Sequence, residues 1–447
     1  MEKILNRIQE LTLTRDKISP ELIKTKNIKL GLRNSDGTGV VVGITTKGKV
    51  IGYDKSPEGK KIPAEGKLYY CGFDVEKIID DVQSRDNFGF EEIVYLLLAG
   101  ELPNQKYLSE FSKELAQRRF LSKQERSIIM EEVVNENQMY GLHSVISHLG
   151  KCDLNPDSLD LNNVSRQCID LIAKFPTIVA YNYNVTKFKR GDDLKIVRPM
   201  KELSTAENFL YMLKGEIPDK DDAHLFDIAL ILHAEHGGGN NSTFSVRSVS
   251  SSGANTYMAI TAGIASLSGS LHGGANEFVM KMMKDLKKTI KDWSNEKAIS
   301  QYINDILDKK VGDRSGKVYG LGHAVYTFSD PRAVVLRGLA RDFARKKNAS
   351  EEFLLYETVD RLGSKILSER KGVPINANVD FYSGFIYRLM GIPQELYTPI
   401  FAMSRVAGWS AHRLEQIVQS KIMRPAYIAV NSEELPSVAY TPLKMRN

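Results

Sequence analysis

The sequence has 447 residues, of which 42% are hydrophobic and 26% are charged, and its formal net charge is +6. This length allows two or three domains around a large core, and the composition is ordinary for a globular protein. The mild positive charge permits anionic small-molecule ligands, and we expect no nucleic-acid partner and no membrane partner. No apolar run approaches the roughly 20 residues that span a bilayer.

The cysteines and the start of the chain predict a cytoplasmic protein. Cys71, Cys152 and Cys168 are widely spaced and form no CxxC pair, which is typical of reduced interior residues. The first ten residues are amphipathic and have the pattern of neither a signal peptide nor a transit peptide. We therefore expect a cytoplasmic location and no bound metal.

The hydrophobic pattern predicts a mostly all-α fold with one small β-ribbon near the N-terminus. Residues 1–25 are predicted to be a helix and a loose lead-in, and the ribbon lies within about residues 30–72, where Asp36-Gly37 and Lys47-Gly48 are turn signals. The candidate strands of the ribbon are 40–46, 49–53 and 68–72. From residue 73 onward the helical period dominates.

Two predicted helices end in the same way, at Gly100 and at Gly215, each followed by an acidic residue and soon by proline. A last long helix is predicted from about residue 393 to 421. Because polar segments flank residues 280–385, we expect two domains. The large helical domain comprises residues 1–279, and the chain returns to it in residues 387–447. The small domain comprises residues 280–386.

Three of the eight histidines adjoin glycine. His272 follows an apolar helical pattern and precedes two glycines, His323 follows Gly-Leu-Gly, and His236 opens a run of three glycines. Glycine allows a ligand to come close to the backbone. One active site is the simplest joint interpretation of the three histidines.

His233 and His236 lie three residues apart and would share a helix face. Two metal ligands are one interpretation, although no third ligand with a recognisable spacing accompanies them. A helix end with a hydrogen-bonded histidine is another. The third is an anion site made by His236 and the N–H groups of the glycine turn.

Two acid-containing motifs suggest further site residues. Asp330 fits a helix N-cap, Pro331 fits the first helical position, and Arg332 would then lie near a helix N-terminus that attracts anions. The alternative is a surface cap with a solvated arginine. Asp380 lies between apolar residues and is either another N-cap or a desolvated carboxyl whose raised pKa suits a general base.

Arg405 lies inside an apolar helix, where a buried guanidinium is costly unless it is paired. No acid lies three or four residues away in sequence, so its partner is a distant carboxylate or a bound one. Arg424 is a further cation near a helix end, where basic residues are common anyway. With no metal motif, GxSxG or P-loop, these residues favour an enzyme that acts on a small polycarboxylate by acid–base chemistry.

At these residues the chain closely resembles the citrate synthase family, over roughly residues 65–430. The segments that carry the resemblance are LHAEH at 232–236, SLHGGANE at 270–277, GLGHAVY at 320–326, DPRA at 330–333, NVDFYSG at 378–384 and RVAGW at 405–409. The resemblance implies a helical two-domain homodimer and an acyltransferase of the tricarboxylic acid cycle. Such an enzyme condenses acetyl-CoA with oxaloacetate, hydrolyses citryl-CoA and needs no cofactor, because acetyl-CoA is a substrate.

The resemblance also implies roles for individual residues. Asp380 would remove a methyl proton from acetyl-CoA, His272 would stabilise the enol, and His323 would polarise the oxaloacetate carbonyl. The oxaloacetate carboxylates would be held by His236, Arg332, Arg405 and, from the partner subunit, Arg424.

The expected coenzyme A site departs from the family pattern. Many relatives carry a basic residue after Gly-x-Gly-His or before Asp-Pro-Arg, where this chain has Ala324 and residues 327–329. Lys317 or the helix of residues 281–288 would then contact a phosphate of coenzyme A. The remaining residues expected at coenzyme A are Gly320, Leu321 and Gly322.

Three other functions remain open at this stage. A 2-methylcitrate synthase would use propionyl-CoA with the same machinery, and one methylene changes binding by only about 1–3 kcal/mol. A metal-dependent hydrolase would use His233, His236 and another histidine. A non-catalytic polycarboxylate-binding protein would have no need for Asp380 and His272 together.

Overall fold

The structure is a computed structural model that describes residues 2–15, 19–34, 36–58, 61–85, 87–133, 137–428 and 441–446. The chain divides into two compact units, residues 1–45 and residues 46–447. Helices dominate the described residues, and the strands are confined to one small sheet. The predicted fold class, mostly all-α with a small N-terminal β-ribbon, is confirmed.

The first unit contains two helices, α1 (Glu2–Arg15) and α2 (Pro20–Thr25), and a short 3₁₀ turn at Leu30–Leu32. Residues 40–46 form no strand, so the strand predicted there is wrong. The side chain of Val41 is 91% exposed. The apolar residues of this segment therefore bury no common face, and they gain none of the packing that stabilises a strand.

The β-ribbon lies at the start of the second unit. It consists of three antiparallel strands in the order β1 (Gly48–Lys55), β2 (Lys61–Tyr70) and β3 (Phe73–Asp74). Gly48 pairs with Tyr70, and the register shifts between Ile51 and Tyr53. Such a shift bends the strand locally.

Sixteen helices follow the ribbon in the described part of the chain. The helices up to the first site segment are α3 (Val75–Ser84), α4 (Phe90–Ala99), α5 (Gln105–Arg118), α6 (Lys123–Glu132), α7 (Gln138–Leu149), α8 (Leu161–Lys189), α9 (Thr205–Lys214) and α10 (Lys220–His233). The later helices are α11 (Asn241–Ser251), α12 (Thr256–Leu267), α13 (Ala275–Thr289), α14 (Glu296–Leu307), α15 (Pro331–Lys346), α16 (Ser350–Lys371), α17 (Val379–Leu389) and α18 (Tyr397–Gln419).

The predicted helix ends are confirmed at α4 and α9. Gly100 and Gly215 each adopt a left-handed backbone, with φ of +85° and +83°, and each donates its N–H to the carbonyl four residues earlier. Only glycine adopts this conformation without a steric cost, which is why the two helices end there.

Helix α18 runs through the middle of the second unit and packs against α4, α8, α10, α11 and α12. Its side chains are buried on nearly every face, including Arg405 and Trp409. A helix that is apolar on all sides belongs in a core. Any polar group that points outward from the middle of α18 therefore faces other protein and not bulk water.

A second group of helices packs around α17, which contacts α13 and α15, while α16 contacts α14 and α15. These helices fall largely within residues 280–386. The boundaries of the large and small domains stay a prediction. In the described residues, no helix is both long enough and apolar enough to cross a bilayer.

Candidate active site

The candidate site lies where the ends of several elements meet the middle of α18. The segments are the turn after α10, the first turn of α11, the turn between α12 and α13, the loop between α14 and α15, and the first turn of α17. They carry the three histidines and the aspartate singled out in the sequence, while Arg332 lies in the first turn of α15 and Arg405 in α18 itself.

His236 occupies the turn after α10 and is buried. Its Nε2 lies 3.2 Å from the Tyr326 hydroxyl, and the centres of the His236 and His323 rings are 5.1 Å apart. Burial and the positive charge of Arg332 hold the pKa of His236 well below its usual range. His236 is therefore a neutral imidazole with a single N–H.

His323 is fixed as one tautomer by the backbone that follows it. The N–H groups of Val325 and Tyr326 both donate to its Nδ1, at 3.0 and 3.2 Å. A nitrogen that accepts two N–H groups carries no hydrogen, so the proton of the neutral ring is on Nε2. Nε2–H is then the group that His323 offers to a ligand.

The loop that carries His323 is tied to the segment before α17. Gly322 donates its N–H to the carbonyl of Asn376, and Asn378 donates its N–H to the carbonyl of Gly320, both at 2.8 Å. Asn378 is also the N-cap of α17 and accepts the N–H of Asp380 at 3.0 Å. These bonds bring the predicted base and His323 to the same place, although 57 residues separate them in sequence.

Asp330 is the N-cap of α15, as predicted, and accepts the N–H of Arg332 at 3.1 Å. It also binds the Arg332 guanidinium at Nε (3.0 Å) and Nη2 (2.8 Å), and it accepts the N–H of Val379 at 3.3 Å. Burial acts to lower the pKa of Arg332, but the Asp330 carboxylate outweighs it and the pKa is raised. Asp330 thus links Arg332 to the first turn of α17.

Asp380 lies in the first turn of α17 and is not its N-cap. Asp380 is half-buried. Burial raises its pKa to about 6, against the opposing attraction of Arg332 and Arg405. Of the two interpretations of Asp380 left open by the sequence, this arrangement agrees with the desolvated acid.

His272 lies in the turn between α12 and α13 and is held by Ser242, at the start of α11. The Ser242 N–H donates to His272 Nε2 at 3.3 Å, and the Ser242 hydroxyl lies 3.1 Å from the same nitrogen. The proton of the neutral ring is therefore on Nδ1. Burial, with repulsion from Arg405, lowers the pKa of His272 to about 4.

Arg405 is fully buried in α18. Its Nε donates to the carbonyl of His233 at 2.6 Å, and its guanidinium lies 4.7 Å from the centre of the Phe401 ring. Among the described residues, Nη1 and Nη2 have no hydrogen-bond partner. Burial lowers the pKa of Arg405 to about 10, partly offset by the charge of Glu235. The planar fork of Nη1 and Nη2 suits a carboxylate.

Glu235 is the buried carboxylate that compensates Arg405. Its Oε1 accepts from His412 Nε2 at 2.9 Å, and His412 Nδ1 accepts from Arg247 Nη1 at 2.9 Å. Burial acts to raise the pKa of Glu235, but His412 and Arg405 outweigh it and hold the pKa below its usual value. Glu235 therefore stays ionised.

The other predicted site residues lie outside this cluster in the single chain. Arg424 is exposed on the segment after α18 and takes no part in the hydrogen bonds that hold the cluster. Lys317 is exposed in the loop between α14 and α15. Gly320, Leu321 and Gly322 are in the same loop, next to His323.

Three residues of the site were missed from the sequence. Tyr326 ends the segment GLGHAVY, three residues after His323, and its aromatic ring was the available signal. Glu235 was equally visible as an acid between two histidines. Ser242 gave no signal, because a serine at the start of a helix is ordinary capping chemistry.

His233 does not join His236 as a metal ligand. Its Nδ1 lies 2.6 Å from the carbonyl of Ala229, one turn back in α10, and its ring packs edge-on against Phe401. In the part of the chain that the structure describes, no three histidine, cysteine or acidic side chains are grouped as metal ligands. The interpretation of His233 that agrees with this is the hydrogen-bonded histidine at a helix end.

The geometry defines an acid–base site for a small carboxylate. The imidazoles of His236, His272 and His323 are neutral, and each has one N–H. Asp380 contributes a carboxyl of raised pKa, and Arg405 has two amino groups without a hydrogen-bond partner among the described residues. Such a set can remove a proton next to a polarised carbonyl while a carboxylate is held in place.

Comparison with known proteins agrees with this class. Residues 38–426 match the family model of the citrate synthase C-terminal domain. The chain is 38% identical over 388 residues to the citrate synthase of Haloferax volcanii, covering 85% of this chain and 93% of the relative. It is 32% identical over 395 residues to 2-methylcitrate synthase 1 of Corynebacterium glutamicum, covering 86% and 95%. The crystal structure of the Pyrobaculum aerophilum citrate synthase matches with a TM-score of 0.73 and 31% identity, covering 91% of this chain and 94% of that one.

The chain therefore belongs to the citrate synthase family. The family is one of acyltransferases, and the predicted enzyme class is confirmed.

The raised pKa of Asp380 predicts a pH-dependent cost in stability. A carboxyl whose pKa rises on folding, here from 3.8 to about 6, favours the fold while it is protonated and destabilises it as the pH rises through that range. Asp380→Asn should therefore raise the free energy of unfolding by about 3 kcal/mol at pH 8 and by roughly half of that at pH 5. Urea denaturation at both pH values measures it. A gain that is the same at both, or one shared by the exposed Asp54→Asn variant, would contradict the assignment.

Proposed function

We propose that this chain condenses acetyl-CoA with oxaloacetate and hydrolyses the resulting citryl-CoA to citrate and coenzyme A. The observation that supports this most is that the buried Arg405, whose Nη1 and Nη2 have no hydrogen-bond partner among the described residues, shifts the pKa of both Asp380 and His272. Backbone hydrogen bonds also tie the loop of His323 to the segment before α17. The reaction needs a base, two hydrogen-bond donors and a carboxylate receptor, and citrate synthases are among the relatives that match most of this chain.

We assign the first step to Asp380 and His272. The Asp380 carboxylate takes a proton from the methyl group of acetyl-CoA, and His272 donates its Nδ1–H to the thioester oxygen. Charge that develops on this oxygen in the enol is then stabilised by a donor already in place. A carboxyl with a pKa near 6 is a stronger base than an ordinary aspartate and is still ionised at neutral pH.

We assign the second step to His323 and the carboxylate receptors. The enol carbon bonds to the keto carbon of oxaloacetate while the thioester carbonyl re-forms and keeps its hydrogen bond from His272. The alkoxide that develops on the former keto oxygen accepts the His323 Nε2–H hydrogen bond and takes up one proton, which balances the proton that Asp380 removed from the methyl group. His236, Arg332 and Arg405 hold the oxaloacetate carboxylates during this attack. Water then hydrolyses citryl-CoA, which releases citrate and coenzyme A without any cofactor.

The coenzyme A moiety would lie along the loop between α14 and α15. Gly320, Leu321 and Gly322 are adjacent to His323, so a thioester at the base would place the coenzyme A chain near them. Lys317 is exposed and lies three residues before Gly320 in sequence. Helix α13 carries further lysines, but two of them already form ion pairs, Lys281 with Glu277 and Lys287 with Glu352. We therefore propose that Lys317 contacts a phosphate of coenzyme A.

We further propose a cytoplasmic homodimer that acts in the tricarboxylic acid cycle. In this dimer Arg424 would enter the active site of the partner subunit. What supports the exchange is that Arg424 is exposed on the segment after α18 and lies outside the cluster within its own chain.

The first prediction concerns the reaction and its base. The wild-type enzyme should release free coenzyme A from acetyl-CoA only when oxaloacetate is present. Asp380→Asn should lower kcat by roughly 10²–10⁴-fold, because it removes the base, and should leave the dissociation constant for oxaloacetate nearly unchanged. Thiol release and calorimetry measure the two effects. Near-normal turnover in the variant would refute the assignment of the base.

The alternative function is that of a 2-methylcitrate synthase, and the similarity to 2-methylcitrate synthase 1 of Corynebacterium glutamicum supports it. The same assay with propionyl-CoA distinguishes the two functions. A higher kcat/KM for acetyl-CoA supports the activity proposed above. A higher value for propionyl-CoA would replace it with the alternative.

The second prediction concerns Arg405. Arg405→Gln should weaken oxaloacetate binding by about 10²-fold, because a buried charged hydrogen bond to the carboxylate is lost. Arg413→Gln is the matched control, since Arg413 is equally buried in α18 but bonds Thr256 and Ser250. Both variants should lose stability. If both weaken oxaloacetate binding equally, the role of Arg405 is wrong.

The third prediction concerns the shared site. Asp380→Asn and Arg424→Gln homodimers should each be impaired, and co-expression of the two chains should restore activity. Half of the dimers would be mixed and one of their two sites would be intact, which gives about a quarter of the wild-type rate. Activity no greater than the average of the two parent variants would contradict a site completed by the partner.

A further inference from the structure

Tyr326 lies between three groups that the proposed function uses. Its hydroxyl is 3.2 Å from His236 Nε2, and its ring centre is 4.7 Å from the ring centre of His323. The Arg332 guanidinium lies over the same ring, at 5.7 Å. Only 6% of Tyr326 is exposed, so its position is set by protein contacts.

The β-ribbon holds the backbone around Tyr326. The Thr327 hydroxyl bonds the carbonyl of Gly52 in β1 and accepts the N–H of Ala64 in β2 at 3.2 Å. The Ser329 hydroxyl accepts the N–H of Gly66 at 3.0 Å. Residues 325–329 are therefore fastened to both long strands.

Two glycines make this close approach possible. A Cβ at Gly52 would lie 2.2 Å from the carbonyl oxygen of Val325 and 2.7 Å from Tyr326 Cα. A Cβ at Gly66 would lie 2.1 Å from the carbonyl oxygen of Ser329 and 2.9 Å from Tyr326 Cδ1. Any larger residue at either position would push the loop away from the strands.

The hydroxyl of Tyr326 has a chemical consequence for His236. A neutral imidazole has one N–H, and the hydrogen bond on one nitrogen decides which nitrogen carries it. If the tyrosine hydroxyl donates to Nε2, the proton is on Nδ1, and Nδ1–H can donate to a substrate carboxylate. Without the hydroxyl, both tautomers are available, and only one of them binds the carboxylate.

We propose that Tyr326, seated on the ribbon by Gly52 and Gly66, is a positioning residue that selects the Nδ1–H tautomer of His236 and sets the plane of His323. The inference rests on the proposed function, because it assigns His236 to an oxaloacetate carboxylate. Tyr326 itself removes no proton and forms no bond in the reaction. It prepares two rings that do contact the substrate.

The test compares Tyr326→Phe with Tyr257→Phe. Tyr257 is also buried and loses an equivalent hydrogen bond, 2.7 Å from Asp153, away from the site. Tyr326→Phe should raise the dissociation constant for oxaloacetate about three- to tenfold, which is the worth of one hydrogen bond, and should leave the KM for acetyl-CoA unchanged. Tyr257→Phe should change neither. Equal melting temperatures for the two variants would show that the difference in binding is not a difference in folding.

Calorimetry measures oxaloacetate binding without turnover, so the outcomes remain separate. A wild-type enzyme that binds oxaloacetate but releases no coenzyme A would refute the proposed function and leave this test intact. Unchanged oxaloacetate binding in Tyr326→Phe would overturn the role of Tyr326, even if kcat falls.

A second variant tests the ribbon. Gly52→Ala should weaken oxaloacetate binding and lower kcat together, because it displaces Tyr326 and the loop that carries His323. Gly338→Ala is the control, since a Cβ there meets nothing within 4 Å. A folded Gly52→Ala enzyme with wild-type binding and turnover would overturn the seating of Tyr326 by the ribbon.

Discussion

The arrangement of the site depends on the free-energy cost of burying the charged guanidinium of Arg405. Arg405 is fully buried in the central helix, and among the described residues its guanidinium makes one hydrogen bond, from Nε to the carbonyl of His233. A lone buried cation is destabilising, so the fold supplies Glu235 as its counter-charge. A Cβ at Gly408, three residues after Arg405, would lie 2.4 Å from Glu235 Oε2, so the carboxylate rests directly on α18. The charge is compensated while the hydrogen-bonding fork remains open.

Glu235 in turn depends on a chain of buried partners. His412 bonds Glu235, Arg247 bonds His412, and Glu415 pairs with Arg247 at 2.5 Å. Because an arginine can only donate, His412 Nδ1 must accept and its Nε2–H must donate to the carboxylate. The neutral His412 thus links the Glu235 carboxylate to the Arg247–Glu415 ion pair, from the interior of α18 toward its C-terminal turns. Each member lowers the cost of burying the next.

The same reasoning explains what could be predicted from the sequence. Residues whose chemistry is unusual for their surroundings, such as Arg405 in an apolar helix and Asp380 between apolar neighbours, stood out without a structure. Helix ends at Gly100 and Gly215 followed from local backbone rules. The partners did not follow, because Glu235 is 170 residues from Arg405 and Tyr326 is 90 residues from His236. The strand predicted at residues 40–46 failed for a related reason, since local apolar alternation does not reveal whether a packing partner exists.

The unpaired groups of the site can be understood as stability given up for binding. At neutral pH the folded protein would be more stable with an amide in place of the Asp380 carboxyl. It would also be more stable if the protein supplied a hydrogen-bond acceptor to the two amino groups of Arg405. Either change would remove a group that the proposed reaction requires, the carboxylate base in the first case and the carboxylate receptor in the second. In the proposed reaction, a dicarboxylate would supply the hydrogen-bond acceptors that Arg405 lacks among the described residues, and its binding energy would hold the keto carbon against the His323 donor.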